Sequence, residues 1–208
     1  MKQNQEKVWD AIAEQWYHFR QRPFRDITAE IDKITSEFKP GKILDIGCGN
    51  CRHLLPFFKR GFDCYGIDFS SEMLKYAKEF SKKYDFKVKL KKAKAEKLPF
   101  KNKSFNYVLS VAVLHHLKKK EQEKAIKEIY RILKPGGIAL VSVWNKYPLL
   151  SLFVKEKYEK WTVKGKTYYR YFYMFTSWEL KKLLKKNGFE ISKSKVGKNI
   201  ILIVRKIL

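Results

Sequence analysis

The sequence predicts an α/β protein: a seven-stranded, mostly parallel sheet with an antiparallel edge at its C-terminal end and helices on both faces. Three observations carry this. From Lys42 onward short apolar runs alternate with amphipathic stretches, as in repeated strand–helix–strand units. Glycine turns punctuate the alternation. The last segment, "SWELKKLLKKNGFEISKSKVGKNIILIVRKI", holds a helix and then two strands close enough to form a hairpin.

Residues 1–35 read as one or two amphipathic helices, interrupted at "QRPFRD" by Pro23, and form an N-terminal cap. The core, 36–144, opens on the strand "KILDI" and the helix "CRHLLPFFKR". The strand "DCYGID" precedes the helix "SSEMLKYAKEFSKKY", with Ser70 or Ser71 placed to cap it. "FKVKL" alternates like an edge strand whose lysines discourage stray pairing. "FNYVLSVAV" is a buried strand; "KEQEKAIKEIYRILKPGG" is a helix ended by its proline and glycines; "IALVSVW" is the next strand. Residues 145–176 break the rhythm, and 177–208 complete a single domain. The stretch from 144 to 178 holds 12 of the chain's 32 aromatics and seven basic residues, which fits a lid or substrate platform as well as an insertion packed on the core.

Composition narrows the class. With 45% hydrophobic residues the chain is no disordered tail, and no apolar run approaches the ~20 residues of a membrane span. The start "MKQNQEKVWDAIAEQW" lacks an apolar signal core, and three cysteines make no disulfide framework, so a cytoplasmic location is expected and no membrane partner. A net charge of +25 points to a polyanionic partner, nucleic acid first. The lysines are spread widely but thicken between Lys87 and Lys103, which holds eight.

The chemistry starts at "LDIGCGN". Gly47 and Gly49 come directly after a strand, where a tight turn lets backbone N–H groups approach a ligand. Asp68 stands 21 residues after Gly47 at the end of the second strand, placed to accept hydrogen bonds from two ribose hydroxyls. Arg52 occupies the position of a third glycine, which makes a diphosphate fit poorer, and Asp45 adds a carboxylate suited to an ammonium group. S-adenosylmethionine, cationic and without phosphate, fits that set. Cys48, Cys51 and His53 crowd one turn with no second ligand pair, so no metal site is expected; Cys48 reads as a small residue between glycines and Cys51 as a small helix-start residue.

The motifs "LDIGCGN", "YGIDFSSEML", "AKAEKLPFKNKSFNYVLSVAVLHHL" and "ILKPGG", in this order, resemble the class I S-adenosylmethionine-dependent methyltransferases with their Rossmann-like fold. The resemblance implies that Asp45, Gly47, Cys48 and Gly49 hold the methionine part of the cofactor, that Asp68 holds the ribose, that Met73 or a neighbour packs near the adenine, that Ala95 and Glu96 approach its edge by backbone, and that Val111 also binds the cofactor. Lys94 and Asn106 depart from the acids frequent at those positions. Outside the core, "WDAIAEQWYHFRQRPF", "VAVLHHL", "VSVW", "RYFYMF" and "KNIILIV" resemble the tRNA wobble-uridine methyltransferases, which methylate the carboxylate of 5-carboxymethyluridine and work with a small zinc-binding activator subunit.

A carboxylate acceptor is already ionised at neutral pH and needs no general base. Arg20 and Arg170 are the candidates to orient it, and His115 and His116, placed at the end of the fourth strand, shape the pocket or, for a hydroxyl acceptor, supply a base. The expected activity is methylation of modified wobble uridine in tRNA. A methyltransferase acting on quinone or lipid precursors shares "AEKLPF" and "HHL", and a non-catalytic RNA-binding subunit of the same fold is the third reading.

Overall fold

The computed structural model describes residues 3–145 and 154–207. Its helices are α1 (Gln5–Phe19), α2 (Arg25–Glu37), α3 (Leu55–Phe58), α4 (Ser71–Lys83), α5 (Lys119–Ile132) and α6 (Ser177–Lys186). The strands are β1 (Lys42–Ile46), β2 (Asp63–Asp68), β3 (Lys89–Lys92), β4 (Phe105–Val111), β5 (Leu133–Trp144), β6 (Glu156–Val163), β7 (Lys166–Tyr173), β8 (Phe189–Val196) and β9 (Asn199–Lys206). Seven of them form one sheet in the order β3-β2-β1-β4-β5-β9-β8, and β6 and β7 form a second, two-stranded sheet. The expected architecture is therefore the observed one: the lysine-rich β3 is an edge, and β8 and β9 run antiparallel.

By contact the chain divides into two compact units, Met1–Lys94 with Lys160–Arg170, and Ala95–Glu159 with Tyr171–Leu208. In the first, β1 pairs parallel with β2 and β2 with β3. Ile43, Leu44 and Ile46 of β1 are buried because this strand lies inside the sheet. α1 packs on α4 through the stacked rings of Tyr17 and Tyr76, with centroids 4.8 Å apart. α4 begins at Ser70, whose hydroxyl accepts the Met73 N–H at 3.1 Å. In the second unit β4 pairs parallel with β5, and β5 and β8 flank β9 antiparallel. The buried Lys206 Nζ donates to the carbonyls of Tyr130 and Leu133 at 2.7 and 2.9 Å, satisfying groups at the C-terminal end of α5.

Three local expectations are corrected. The helix expected over "CRHLLPFFKR" is only the four residues of α3, because Cys51 holds a left-handed φ of 63° and cannot start a helix. Pro56 fits the first turn that remains. β5 begins at Leu133, ahead of the proline and glycines expected to separate helix from strand. His115 and His116 do not end β4: Ala112, at φ 59°, breaks the strand, and the histidines sit in a 3₁₀ turn over Leu114–His116. Of the segment 145–176, residues 146–153 lie outside the described residues, and β6 and β7 form a two-stranded ribbon within the remainder.

Candidate active site

In the first unit the loop after β1 is shaped by three left-handed residues, Gly47 (φ 61°), Gly49 (φ 54°) and Cys51 (φ 63°). The Cys48 N–H donates to the Ile67 carbonyl at 2.8 Å, tying the loop to the end of β2. A Cβ on Gly49 would lie 2.7 Å from the Trp16 ring, so the indole of α1 covers the bare backbone there. The side chains of Cys48 and Cys51 both turn inward onto Gly66, where a Cβ would meet each sulfur at 3.0 Å.

Two carboxylates flank the loop, and they differ. Asp68 accepts the Gly49 N–H at 3.0 Å on one oxygen and the Ser70 N–H at 2.9 Å on the other. Burial raises it from 3.8 to about 6 while those backbone donors pull it down. Each oxygen keeps a lone pair for a hydroxyl donor. Asp45 is buried with no such help: its Oδ2 has no hydrogen-bond partner among the described residues, and burial pushes it to about 8 against the pull of Arg52. His53 Nδ1 lies 3.9 Å from that oxygen, but burial and Arg52 drive the imidazole well below its usual range, so it brings no charge at neutral pH. Asp45 is a buried acid in want of a cation.

Arg52, read from sequence only as a missing glycine, is the cation nearest in kind. Its guanidinium lies 4.8 Å from the ring centres of both Trp16 and Phe24, and Nη1 donates to Asn50 Oδ1 at 3.2 Å. Asn50 in turn donates to the Arg20 carbonyl at 2.7 Å. Asp10 is a second residue that the sequence does not flag: its Oδ1 accepts from the Ser70 hydroxyl at 2.6 Å and the Glu72 N–H at 3.2 Å, joining α1 to the cap of α4. Nothing in the local pattern singles out either residue, because the rings that Arg52 lies over and the groups that Asp10 accepts from are distant in sequence. Met73 is buried in the first turn of α4 beside this network.

Of the two arginine candidates, Arg20 is exposed at the C-cap of α1 with its guanidinium 5.9 Å from the Phe24 ring centre. Arg170, on β7, lies over the indoles of Trp161 (4.6 Å) and Trp9 (5.9 Å). Both belong to the first unit, as do Asp45, Gly47, Cys48, Gly49, Asp68 and Met73.

The second unit holds the remaining candidates. Val111 is buried at the end of β4, Ala95 is buried, and Glu96 is half-buried. The Ala112 N–H donates to the Ser142 carbonyl at 3.0 Å, pinning the turn that carries the histidines. His115 is buried, and its Nδ1 accepts the Trp144 N–H at 3.0 Å. His116 Nδ1 lies 2.9 Å from the Tyr171 carbonyl, which can only accept. In their neutral forms these partners favour opposite tautomers: His115 with its proton on Nε2 and His116 with its proton on Nδ1. Phe172 stacks on His115 (5.3 Å, 18°) and on Trp144 (4.4 Å, 21°), fixing the pair.

The methyltransferase domain family matches residues 44–141. The chain is 33% identical over 143 residues to the tRNA (carboxymethyluridine(34)-5-O)-methyltransferase of Arabidopsis thaliana, covering 66% of this chain and 32% of that protein, so it spans about a third of that relative's length. It is 31% identical over 172 residues to a ubiquinone biosynthesis O-methyltransferase of Dinoroseobacter shibae, covering 80% and 68%. Among solved structures, the complex between the Haloferax volcanii Trm112 methyltransferase activator and a methyltransferase matches with a TM-score of 0.78 at 15% identity, covering 99% of this chain and 98% of that one, a likeness of fold.

Proposed function

This chain belongs to the methyltransferase domain family of class I S-adenosylmethionine-dependent methyltransferases, and from that premise we propose that it methylates the carboxylate of 5-carboxymethyluridine at the wobble position of tRNA. The observation that carries the reading is the charge: +25 on 208 residues answers to a polyanion, and a quinone or lipid precursor gives no reason for it. The similarity to the Arabidopsis enzyme supports the same acceptor.

The residues suit the cofactor. Asp45, buried with an unmatched oxygen, would receive the ammonium group; Asp68 would take the ribose hydroxyls; the backbone of Gly47, Cys48 and Gly49 would lie along the methionine part. Met73, Ala95, Glu96 and Val111 would line the adenine side. S-adenosylmethionine supplies an electrophilic methyl carbon on a sulfonium that leaves as a neutral thioether. For an ionised carboxylate the protein's task is to hold the acceptor in line and keep water out. Arg20 and Arg170 are the groups proposed to orient it. His115, donating from Nε2, would hydrogen-bond the acceptor and withdraw no proton from it. A small activator subunit as partner belongs to the same proposal, supported by the fold likeness to the Haloferax complex.

One observation favours a second reading. His116 presents Nε2 as acceptor while the Tyr171 carbonyl supports Nδ1–H, the arrangement of a general base for a hydroxyl acceptor, as in a small-molecule O-methyltransferase. Methyl-labelled S-adenosylmethionine and tRNA lacking the final methyl group, incubated with and without an activator subunit and then treated with mild alkali, separate the two. Label released as methanol establishes the ester. Label retained on RNA moves the target to a ring atom or ribose. No transfer to RNA, with cofactor bound, gives the reaction to a small acceptor.

A further inference from the structure

Phe19, the last residue of α1, is 62% exposed, although the chain buries most of its phenylalanines. It does not stand alone. The Trp161 ring centre lies 6.3 Å away at 51°, on the ribbon strand β6. Trp161 is fixed: its Nε1 donates to Gln15 Oε1 at 2.5 Å, and the Arg170 guanidinium covers the ring at 4.6 Å. The ribbon is fixed on α1 in turn. The Tyr169 N–H donates to Gln3 Oε1 at 2.8 Å, Gln5 Nε2 donates to the Tyr169 carbonyl at 3.1 Å, and Lys164 pairs with Glu14 at 3.2 Å. Phe19 thus stands in water beside an indole that is itself held in place.

The surroundings are cationic. "HFRQRPFR", His18 to Arg25, holds three arginines and no acid, and Arg20, Arg22 and Arg25 are all exposed. Lys166 on β7 is exposed as well. An exposed aromatic face followed in the chain by three exposed arginines is complementary to an unpaired base and its flanking phosphates: every base has a π-face to stack, and each phosphate takes one cation.

We propose that Phe19, backed by Trp161, is the platform on which an unpaired base of the RNA substrate stacks, with Arg22 and Arg25 contacting the adjoining phosphates. This rests on the tRNA reading and adds to it a residue outside the cofactor loop and outside the groups that face the reacting carboxylate. Phe19 would set affinity and acceptor choice, leaving methyl-donor binding alone.

The test measures binding of a single-stranded anticodon-loop RNA oligomer, by fluorescence anisotropy, to wild type, Phe19→Ala, Phe19→Trp and Arg22→Gln/Arg25→Gln. Loss of one stacked base predicts that Phe19→Ala weakens binding roughly tenfold and leaves the salt slope unchanged, while Phe19→Trp restores affinity. Arg22→Gln/Arg25→Gln should lower the slope of log K against log salt by about two, one per phosphate. Melting temperature and S-adenosylmethionine affinity should hold in Phe19→Ala, whose ring is mostly in water. If wild type binds and methylates tRNA and Phe19→Ala binds equally well, the platform is refuted and the tRNA reading stands. If wild type binds no RNA, both fall. If Phe19→Ala loses binding to anionic vesicles but not to RNA, the surface belongs to a membrane and the proposal is overturned.

Discussion

Gly49→Ala is the most direct probe of how the N-terminal cap meets the cofactor loop. Alanine at this position must adopt φ +54°, at a cost of about 1–2 kcal/mol for an L-residue in the left-handed region. Its Cβ would also stand 2.7 and 3.0 Å from two atoms of the Trp16 indole, where ordinary contact begins at 3.4 Å. The indole has little room to yield, since the Arg52 guanidinium stacks on it at 4.8 Å and the Trp9 ring meets it at 6.5 Å. Overpacking of that kind costs about 1–3 kcal/mol, so the substitution should destabilise by about 2–5 kcal/mol. The Gly49 N–H that Asp68 accepts at 3.0 Å would shift with it, and S-adenosylmethionine affinity should fall in parallel. Urea unfolding of Gly49→Ala, Trp16→Ala and the double variant separates the two costs. Trp16→Ala removes the clash but not the φ strain, so the double variant should be more stable than additivity predicts by about 1–3 kcal/mol. Strict additivity, or a Gly49→Ala chain within about 0.5 kcal/mol of wild type, would refute the packing of α1 on the loop.

Three further outcomes are expected. Because burial raises Asp45 from 3.8 to about 8, the folded cofactor-free chain keeps a proton that the unfolded chain releases; the stability from this group is fully present below pH 3.8 and lost as pH rises through 8. Cofactor affinity should therefore climb toward pH 8, by up to about tenfold per unit, with proton release in calorimetry, and Asp45→Asn should abolish that slope. Ser70→Ala removes both the cap of α4 and the hydroxyl that satisfies Asp10, and should cost about 1–3 kcal/mol in denaturant unfolding. His116→Gln should leave kcat for ester formation within about threefold; a loss of about 100-fold or more, the contribution of a general base, would assign a hydroxyl acceptor.

The sheet is legible in the sequence because its signal is local. "KILDI" and "IALVSVW" are short, apolar and rich in β-branched residues, as buried strands are, and the hairpin at the end is too short for a crossover. Asp45, Gly47, Gly49 and Asp68 are legible because strand ends and loop spacing bring them together. Arg52 and Asp10 are not, since the rings of Trp16 and Phe24 under Arg52 and the Ser70 hydroxyl on Asp10 lie at least 28 residues away along the chain and meet them only after folding. Cys51 escapes for a related reason. A cysteine at φ 63° is uncommon, and only the demand of a loop with three left-handed residues imposes it. The ribbon eludes prediction because aromatics and lysines at alternate positions serve a two-stranded sheet and a packed insertion equally well.

The histidine doublet shows what a sequence motif leaves undetermined. Two identical side chains, adjacent in the chain, are held by two different backbone groups: an N–H that can only donate and a carbonyl that can only accept. Each partner dictates the proton on the nearer nitrogen, so one ring becomes a donor at Nε2 and the other an acceptor. Exchanging the two would require β5 and β7 to swap their roles at Trp144 and Tyr171. On the proposed reading, His115 would meet an anionic acceptor and His116 would deprotonate a neutral one. On that reading the acceptor delivered would decide between them, and the charge of +25 supports an anion.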